Sequence, residues 1–296
     1  MDASKVKVIA RYTISIAIVA VFIFPIAWFA LTSVKPISAV FNKDRVVVFD
    51  FEPTFDNYRV TVLGGTKAET GKGSSIGMGT SGEGAYDGRG SIASSLIIAI
   101  SSTFLATTIS LLAAYALSRM KFRGSQGYMN WVLSQRFLPP IAIIIPFVFI
   151  FHDLGLRDTH FGITIAHTLI NIPIALLILK SFFDDVPIEI DQAAKIDGAS
   201  QFQCFFLVVL PMVKGGIAAT AVLCFIFSWT EFILSLFLTN TIRTIPVKIT
   251  TFVTSTGSEW GYISALGTAA ILPGFIFILL VQNHLVRGLT MGAIKD

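Results

Sequence analysis

The sequence predicts an all-α membrane protein of about six transmembrane helices with both termini in the cytoplasm. Three observations carry that reading. Of 296 residues, 54% are hydrophobic and only 14% charged, with a mean hydropathy of +0.75, far from the composition of soluble domains. Apolar runs of roughly 20 residues, the length a helix needs to cross about 30 Å of hydrocarbon, recur along the chain. The Lys and Arg residues sit singly between those runs. They form no patch with interleaved aromatics, so the net charge of +4 follows from topology and excludes a nucleic-acid face. The alternating pattern of a β-barrel is absent.

The first run, 12–34, follows a short basic lead with Lys5, Lys7 and Arg11 and carries Pro25 and Trp28. It exceeds the roughly 7–15 residues of a signal-peptide core and reads as a span. Further spans are expected at 92–118, 129–151, 161–179, 215–238 and 262–284, the third holding Arg136 and the fifth Glu231. With the N-terminus inside, Lys5, Lys7, Arg11, Arg119, Lys121, Arg123, Lys180, Lys195, Lys214, Arg287 and Lys295 are cytoplasmic. Only Arg157, Arg243 and Lys248 fall in the two short outer loops. Pro139, Pro140, Pro146 and Pro173 are expected to kink their helices. Cys204 and Cys224 have no metal or redox spacing and read as small buried hydrophobes.

The outer stretch 63–90 is rich in Gly, Ser and Thr and reads as a flexible insert. Its Gly77-Met78-Gly79-Thr80-Ser81-Gly82 matches a dinucleotide fingerprint in letters alone, because no strand precedes it and no helical pattern follows. Gly71-Lys72 is followed by Gly73, so no Walker A loop is present and the chain has no such route to ATP. No cluster of His, Cys, Asp or Glu with catalytic or metal spacing lies in the spans, so no catalytic or metal residue is assigned.

Between the fourth and fifth spans, 184–211 reads as two short helices on the cytoplasmic side. Pro187 suits a first helical position, Ile190, Ala193 and Ala194 make an apolar stripe, and Lys195 sits in the last turn. Gly198 ends the helix in a left-handed turn, and Ser200 with Gln203 fits a capping box that opens the second helix toward Leu210 and Pro211. Spacing alone leaves open whether this hairpin couples to a partner or packs under the bundle.

Gln192-Ala193-Ala194, then Gly198, then Val208-Val209-Leu210-Pro211 resembles the EAA motif of binding-protein-dependent ABC importer permeases. In that motif Glu-Ala-Ala, three residues, Gly, nine residues and Ile-x-Leu-Pro precede the penultimate span. Gln192 replaces Glu, removing a charge, and Val208 replaces Ile. Phe55-Asp56-Asn57-Tyr58, Arg136-Phe137-Leu138-Pro139-Pro140, Ser228-Trp229-Thr230-Glu231-Phe232 and the tail from Arg287 to Lys295 resemble the carbohydrate permeases related to the smaller membrane subunit of the maltose transporter. The stretch after Leu63 is an insertion relative to that group.

The resemblance implies a single transmembrane domain over 1–296 that forms half of the translocation pathway for a sugar or polyol, or for glycerol 3-phosphate or another glycerol derivative. It implies a homologous second permease subunit, two cytosolic ATPase subunits that bind ATP and Mg, an extracytoplasmic solute-binding protein and a lipid bilayer as partners. No cofactor is expected in this chain. Coupling to the ATPase would fall on Gln192, Ala193, Ala194, Gly198, Ser200, Leu210 and Pro211. The tail 288–295 would reach the ATPase interface and the loop 251–260 the binding protein.

Arg136 and Glu231 cost about 2.5–3.5 kcal/mol each inside a span unless they face protein or water. Each could line the solute path or snorkel or bond a neighbouring helix. His167 and Asn171 share a helix face, as a helix-to-helix contact or as part of the path. A self-sufficient secondary transporter is the competing class, but one intramembrane Glu and no evident internal repeat give it little to work with.

Overall fold

The structure is a computed structural model and describes residues 3–41, 48–65, 85–120, 123–254 and 257–291. The described residues are mostly helical, with α1 Ala3–Ser33, α2 Asp56–Thr61, α3 Arg89–Arg119, α4 Ser125–Ser134, α5 Pro140–Asp153 and α6 His160–Asp184. These are followed by α7 Ile188–Ile196, α8 Gln201–Met212, α9 Lys214–Trp229, α10 Ile233–Leu238, α11 Ile245–Thr250 and α12 Trp260–Met291. Among the described residues, four helices are long and apolar enough to cross a membrane: Val8–Ser33, Arg89–Arg119, His160–Asp184 and Trp260–Gln282. Two bent pairs, Ser125–Phe137 with Pro140–Asp153 at 97° and Gln201–Met212 with Lys214–Trp229 at 75°, raise the number to six if each pair is one span.

Two expected spans are therefore broken where sequence alone predicts continuous or merely kinked helices. In the third, Leu138 has ψ 118° and Pro139 ψ 132°, both extended. A proline pushes the residue before it out of the helical region, and here Pro139 and Pro140 do so in succession, so the chain turns and restarts with Pro140 in the first turn of α5. In the fifth, α9 stops at Trp229 and α10 begins only at Ile233.

The chain divides into two compact units, Met1–Arg89 with Lys248–Ile271 and Gly90–Val247 with Leu272–Asp296. In the first, the Phe55-to-Tyr58 segment has a structural task. The amide of buried Asn57 donates to the carbonyls of Ser33 (2.9 Å) and Lys35 (3.2 Å), two acceptors left open by the end of α1. The Tyr58 hydroxyl meets Ser33 Oγ at 2.7 Å. Tyr86 packs on Phe252 and Tyr262, beside a two-stranded hairpin that pairs Val253 with Ser258 and Thr254 with Gly257. Most of the Gly-rich insert, 66–84, and the tail beyond 291 lie outside the described residues.

The second unit is built on α6 against α9. Gly216 makes that contact possible: a Cβ there would run into the Phe182 side chain, whose own Cβ would stand 2.8 Å away. A core of Ala114, Tyr115, Leu176, Leu179, Phe183 and Phe205 joins α3 and α6 to α8, with the Tyr115 ring 4.7 Å from Phe205 and 5.5 Å from Phe183. Both cysteines are free and buried.

The two loops beyond α5 and α10 are tied by Asp158. Its carboxylate accepts the backbone N–H groups of Asn240 (2.8 Å), Thr241 (3.0 Å) and Ile242 (3.1 Å) and the Thr241 hydroxyl (2.7 Å). Asp158 holds φ 58°, a left-handed conformation that Asp tolerates better than most residues. Partial burial raises its pKa, but the four donors outweigh burial and bring it down to about 2. A carboxylate depressed in the folded state stabilises fully above its unfolded pKa of about 3.9, and that contribution is lost as pH falls toward about 2. We expect Asp158→Asn to lower the melting temperature of the detergent-purified protein at pH 6 by an amount worth about 1 kcal/mol after solvent screening. The gap to the parent should close between about pH 4 and pH 2. A gap that is constant with pH would assign Asp158 a purely steric role.

Candidate functional site

The hairpin between α6 and α9 forms from local signals. Thr159 caps α6, and Pro187, with ψ 135°, takes the N-cap of α7, so the first helical dihedrals belong to Ile188. This corrects by one position the expectation that Pro187 itself starts the helix. α7 ends at Gly198, with φ 85°. The Ala199 N–H reaches the Ala194 carbonyl at 3.0 Å and the Gly198 N–H that of Lys195 at 3.1 Å, a Schellman-type closure that needs a residue without Cβ strain. Ser200 then caps α8. Its hydroxyl accepts the Gln203 N–H (3.3 Å) while the Gln203 side chain accepts the Ser200 N–H (2.8 Å), a complete capping box.

After one α-turn, α8 widens to a π-helix over Cys204–Val209 and returns to α at Leu210–Met212. Pro211 supplies the cause. It has no N–H to give the preceding turn, and its ring crowds the carbonyl four residues back, so the ladder relaxes to the longer spacing. Cys204, Phe205 and Val209 on this stretch are buried and clamp α8 to the core.

What fixes α7 is a buried charge. Asp191 stands 3% exposed among exposed Gln192, Ala193 and Lys195. Its carboxylate lies 2.9 Å from Arg119 Nε at the end of α3, an ion pair that falls short of a linear hydrogen bond, with both side chains below 10% exposure. The Tyr115 hydroxyl donates to Asp191 at 3.1 Å and in turn accepts the Gln201 amide at 3.0 Å. Arg119 also donates to the Val186 carbonyl at 2.9 Å. The Cys204 thiol points at the same carboxylate, 3.5 Å away; burial and that negative neighbour push its pKa up and keep it an S–H donor. The apolar stripe expected on α7 is thus partly redrawn, since Ile190 and Ala194 pack inward but Ala193 faces out. Beside this node opens a cleft of about 300 Å3, with Arg119 and Asp191 in its wall and Gln192, Lys195 and Gln201 around it.

The intramembrane polar residues form a second assembly. Ser102 on α3 donates to Ser228 on α9 (2.8 Å), and Ser228 meets His167 Nδ1 on α6 (2.7 Å). The other ring nitrogen, Nε2, faces Ser235 Oγ at 3.1 Å and Glu231 Oε2 at 3.2 Å. Glu231 lies in the break before α10 and accepts the Leu234 and Ser235 N–H groups at 2.8 and 3.0 Å, so it caps that helix with a carboxylate. Four helices are joined through one fully buried imidazole. Asn171, one turn from His167, donates to the Cys224 carbonyl at 3.3 Å and leaves a buried Oδ1 without a partner. Arg136 is not within a continuous span: it occupies the 3-10 turn before the 97° bend, exposed, donating to the Ile170 carbonyl (3.1 Å) and lying over the Phe227 ring at 5.2 Å.

Residues 73–291 match the family described as binding-protein-dependent transport system inner membrane component. The chain belongs to this family. It is a multi-pass inner-membrane permease, and dependence on a binding protein removes the self-sufficient transporter considered from sequence. The permease is 32% identical over 277 residues to the trehalose transport system permease protein SugB of Mycobacterium tuberculosis, covering 92% of each chain. It is 32% identical over 203 residues to the sulfoquinovosyl glycerol transport system permease protein SmoH of Agrobacterium fabrum, covering 68% of this chain and 71% of the relative. Its fold matches a chain in the crystal structure of a bacterial ABC transporter that imports the acidic polysaccharide alginate. That match has a TM-score of 0.71 at 20% identity and covers 96% of this chain and 98% of the other.

Proposed function

We propose that the permease is one of two homologous membrane subunits of an ATP-driven sugar importer, both termini cytoplasmic, forming half of the translocation path. The 184–211 hairpin docks on one of two cytosolic ATPase subunits, which bind ATP and Mg, and a solute-binding protein delivers the solute on the outer face. The observation that carries this reading is the build of the hairpin. Gly198, Ser200 and Asp191 fix its shape from within, while α7 and α8 leave Ile196 85%, Phe202 76% and Leu207 71% exposed. Rigid helices with a fixed mutual angle and uncovered apolar side chains suit transmission of movement from an attached subunit. Arg136, Asn171 and Glu231 are the residues proposed to line the solute path, Asn171 and Glu231 being held by neighbouring helices.

A sugar or polyol is the solute class favoured by the likeness to the trehalose permease. A glycerol derivative is the second reading, favoured by the likeness to the sulfoquinovosyl glycerol permease. Purification through a tag on the permease is expected to bring down an ATPase, and calorimetry on the partner solute-binding protein to show a bound sugar. Reporter fusions after Asp185 are expected to report cytoplasm and those after Arg157 the outside. Absence of an ATPase, or the reverse reporter pattern, would refute the coupling role of 184–211.

A further inference from the structure

The cleft beside Asp191 is electrically lopsided. Arg119 and Asp191 in its wall cancel as an ion pair at 2.9 Å, with Tyr115 and Cys204 directed at Asp191 Oδ1 and the Val186 carbonyl accepting from Arg119 Nη2. The open part presents Gln192, Lys195 and Gln201, all exposed, with Met120 and Ile188 as its apolar walls. Lys195, the Gln192 amide and the second N–H of the Gln201 amide, whose first goes to the Tyr115 hydroxyl, remain for a visitor. Glu189 and Asp197 are exposed on the same segment but do not line the cleft.

We infer that this cleft receives an acidic side chain of the attached ATPase, which pairs with Lys195 and accepts hydrogen bonds from the Gln192 and Gln201 amides. The inference rests on the coupling reading above and deepens it by naming the chemistry of the partner. A basic visitor would meet Lys195 beside a carboxylate already ion-paired to Arg119, and an apolar one would strand the Gln192 amide and an ammonium. A carboxylate satisfies all three groups. About 300 Å3 is room for one such side chain and its first waters, not for a segment of chain.

The test uses the intact transporter in detergent. A zero-length carbodiimide couples a lysine amine only to a carboxylate within ion-pair distance. Mass spectrometry is expected to find Lys195 joined to an Asp or Glu of the ATPase, and to lose that link in Lys195→Arg, which keeps the charge but not the reactive amine. At low salt, Lys195→Glu should weaken ATPase retention about tenfold, and the loss should shrink at high salt. Lys195→Arg should stay within about twofold. The sign of Gln192→Glu decides between visitors: an acidic partner predicts weaker retention, about threefold, and a basic partner predicts stronger. If the ATPase co-purifies but Lys195 links only within its own chain, or Gln192→Glu binds more tightly, the acidic partner is wrong while the coupling reading stands. If no ATPase accompanies the parent permease, both fall together.

Discussion

Asp191→Ala is expected to be the most damaging single change in the hairpin, costing about 3–5 kcal/mol. It leaves the Arg119 guanidinium enclosed with only uncharged partners, and an unpaired buried charge is worth far more as a penalty than the pair was as a gain. The expected observation is a large drop in membrane abundance and in melting temperature of whatever is purified. A second variant separates charge from shape. Arg119→Met combined with Asp191→Leu removes both ions and keeps apolar volume, and should recover most of the parent stability, because replacing a buried pair by apolar groups is often neutral or better. If Asp191→Ala accumulates and melts like the parent, the node is hydrated and contributes little.

Gly198→Val is expected to abolish transport with the permease still inserted and abundant. Nothing lies within 4 Å of where a Cβ would stand, so the effect is not a clash with neighbours. It comes from φ 85°, where a β-branched residue is disfavoured by about 1–2 kcal/mol or more, enough to reopen the turn and change the angle between α7 and α8. Gly198→Asn, which tolerates this conformation, should transport at close to the parent rate. Solute uptake in proteoliposomes together with ATP hydrolysis stimulated by the loaded binding protein measures both. Parent-level uptake by Gly198→Val would show that the angle between α7 and α8 does not matter for coupling.

The features that could be read from sequence are those whose causes lie within a few residues. Gly198 and the Ser200–Gln203 box are local chemistry, and both stand where spacing placed them. Runs of apolar residues announce helices that face lipid because lipid requires both length and hydropathy. The breaks were only half legible: Pro139-Pro140 signalled distortion, but whether a proline kinks or severs a helix depends on what takes over its lost hydrogen bonds. Glu231 was visible as an anomaly, while its work as the cap of α10 required knowing that α9 stops at Trp229. Least legible were Asp191 and His167. Each looks ordinary in its own window, and each finds partners 61 to 76 residues away, Ser228 for His167 and Tyr115 for Asp191. No periodicity encodes such a pairing.

Arg119 also has a history in time. It counts among the basic residues expected to hold loops inside, yet in the finished protein it is neutralised by Asp191. The ribosome adds about 5–20 residues each second, so the roughly 70 residues that separate them give Arg119 several seconds as a free cation before its partner exists. On the proposed topology it would act on the insertion machinery at full charge during that interval, with α3 oriented before the pair can form. On that topology one guanidinium would serve twice in sequence, first as an address and then as a rivet, and a variant repaired in the folded state by Arg119→Met with Asp191→Leu would still have lost the address.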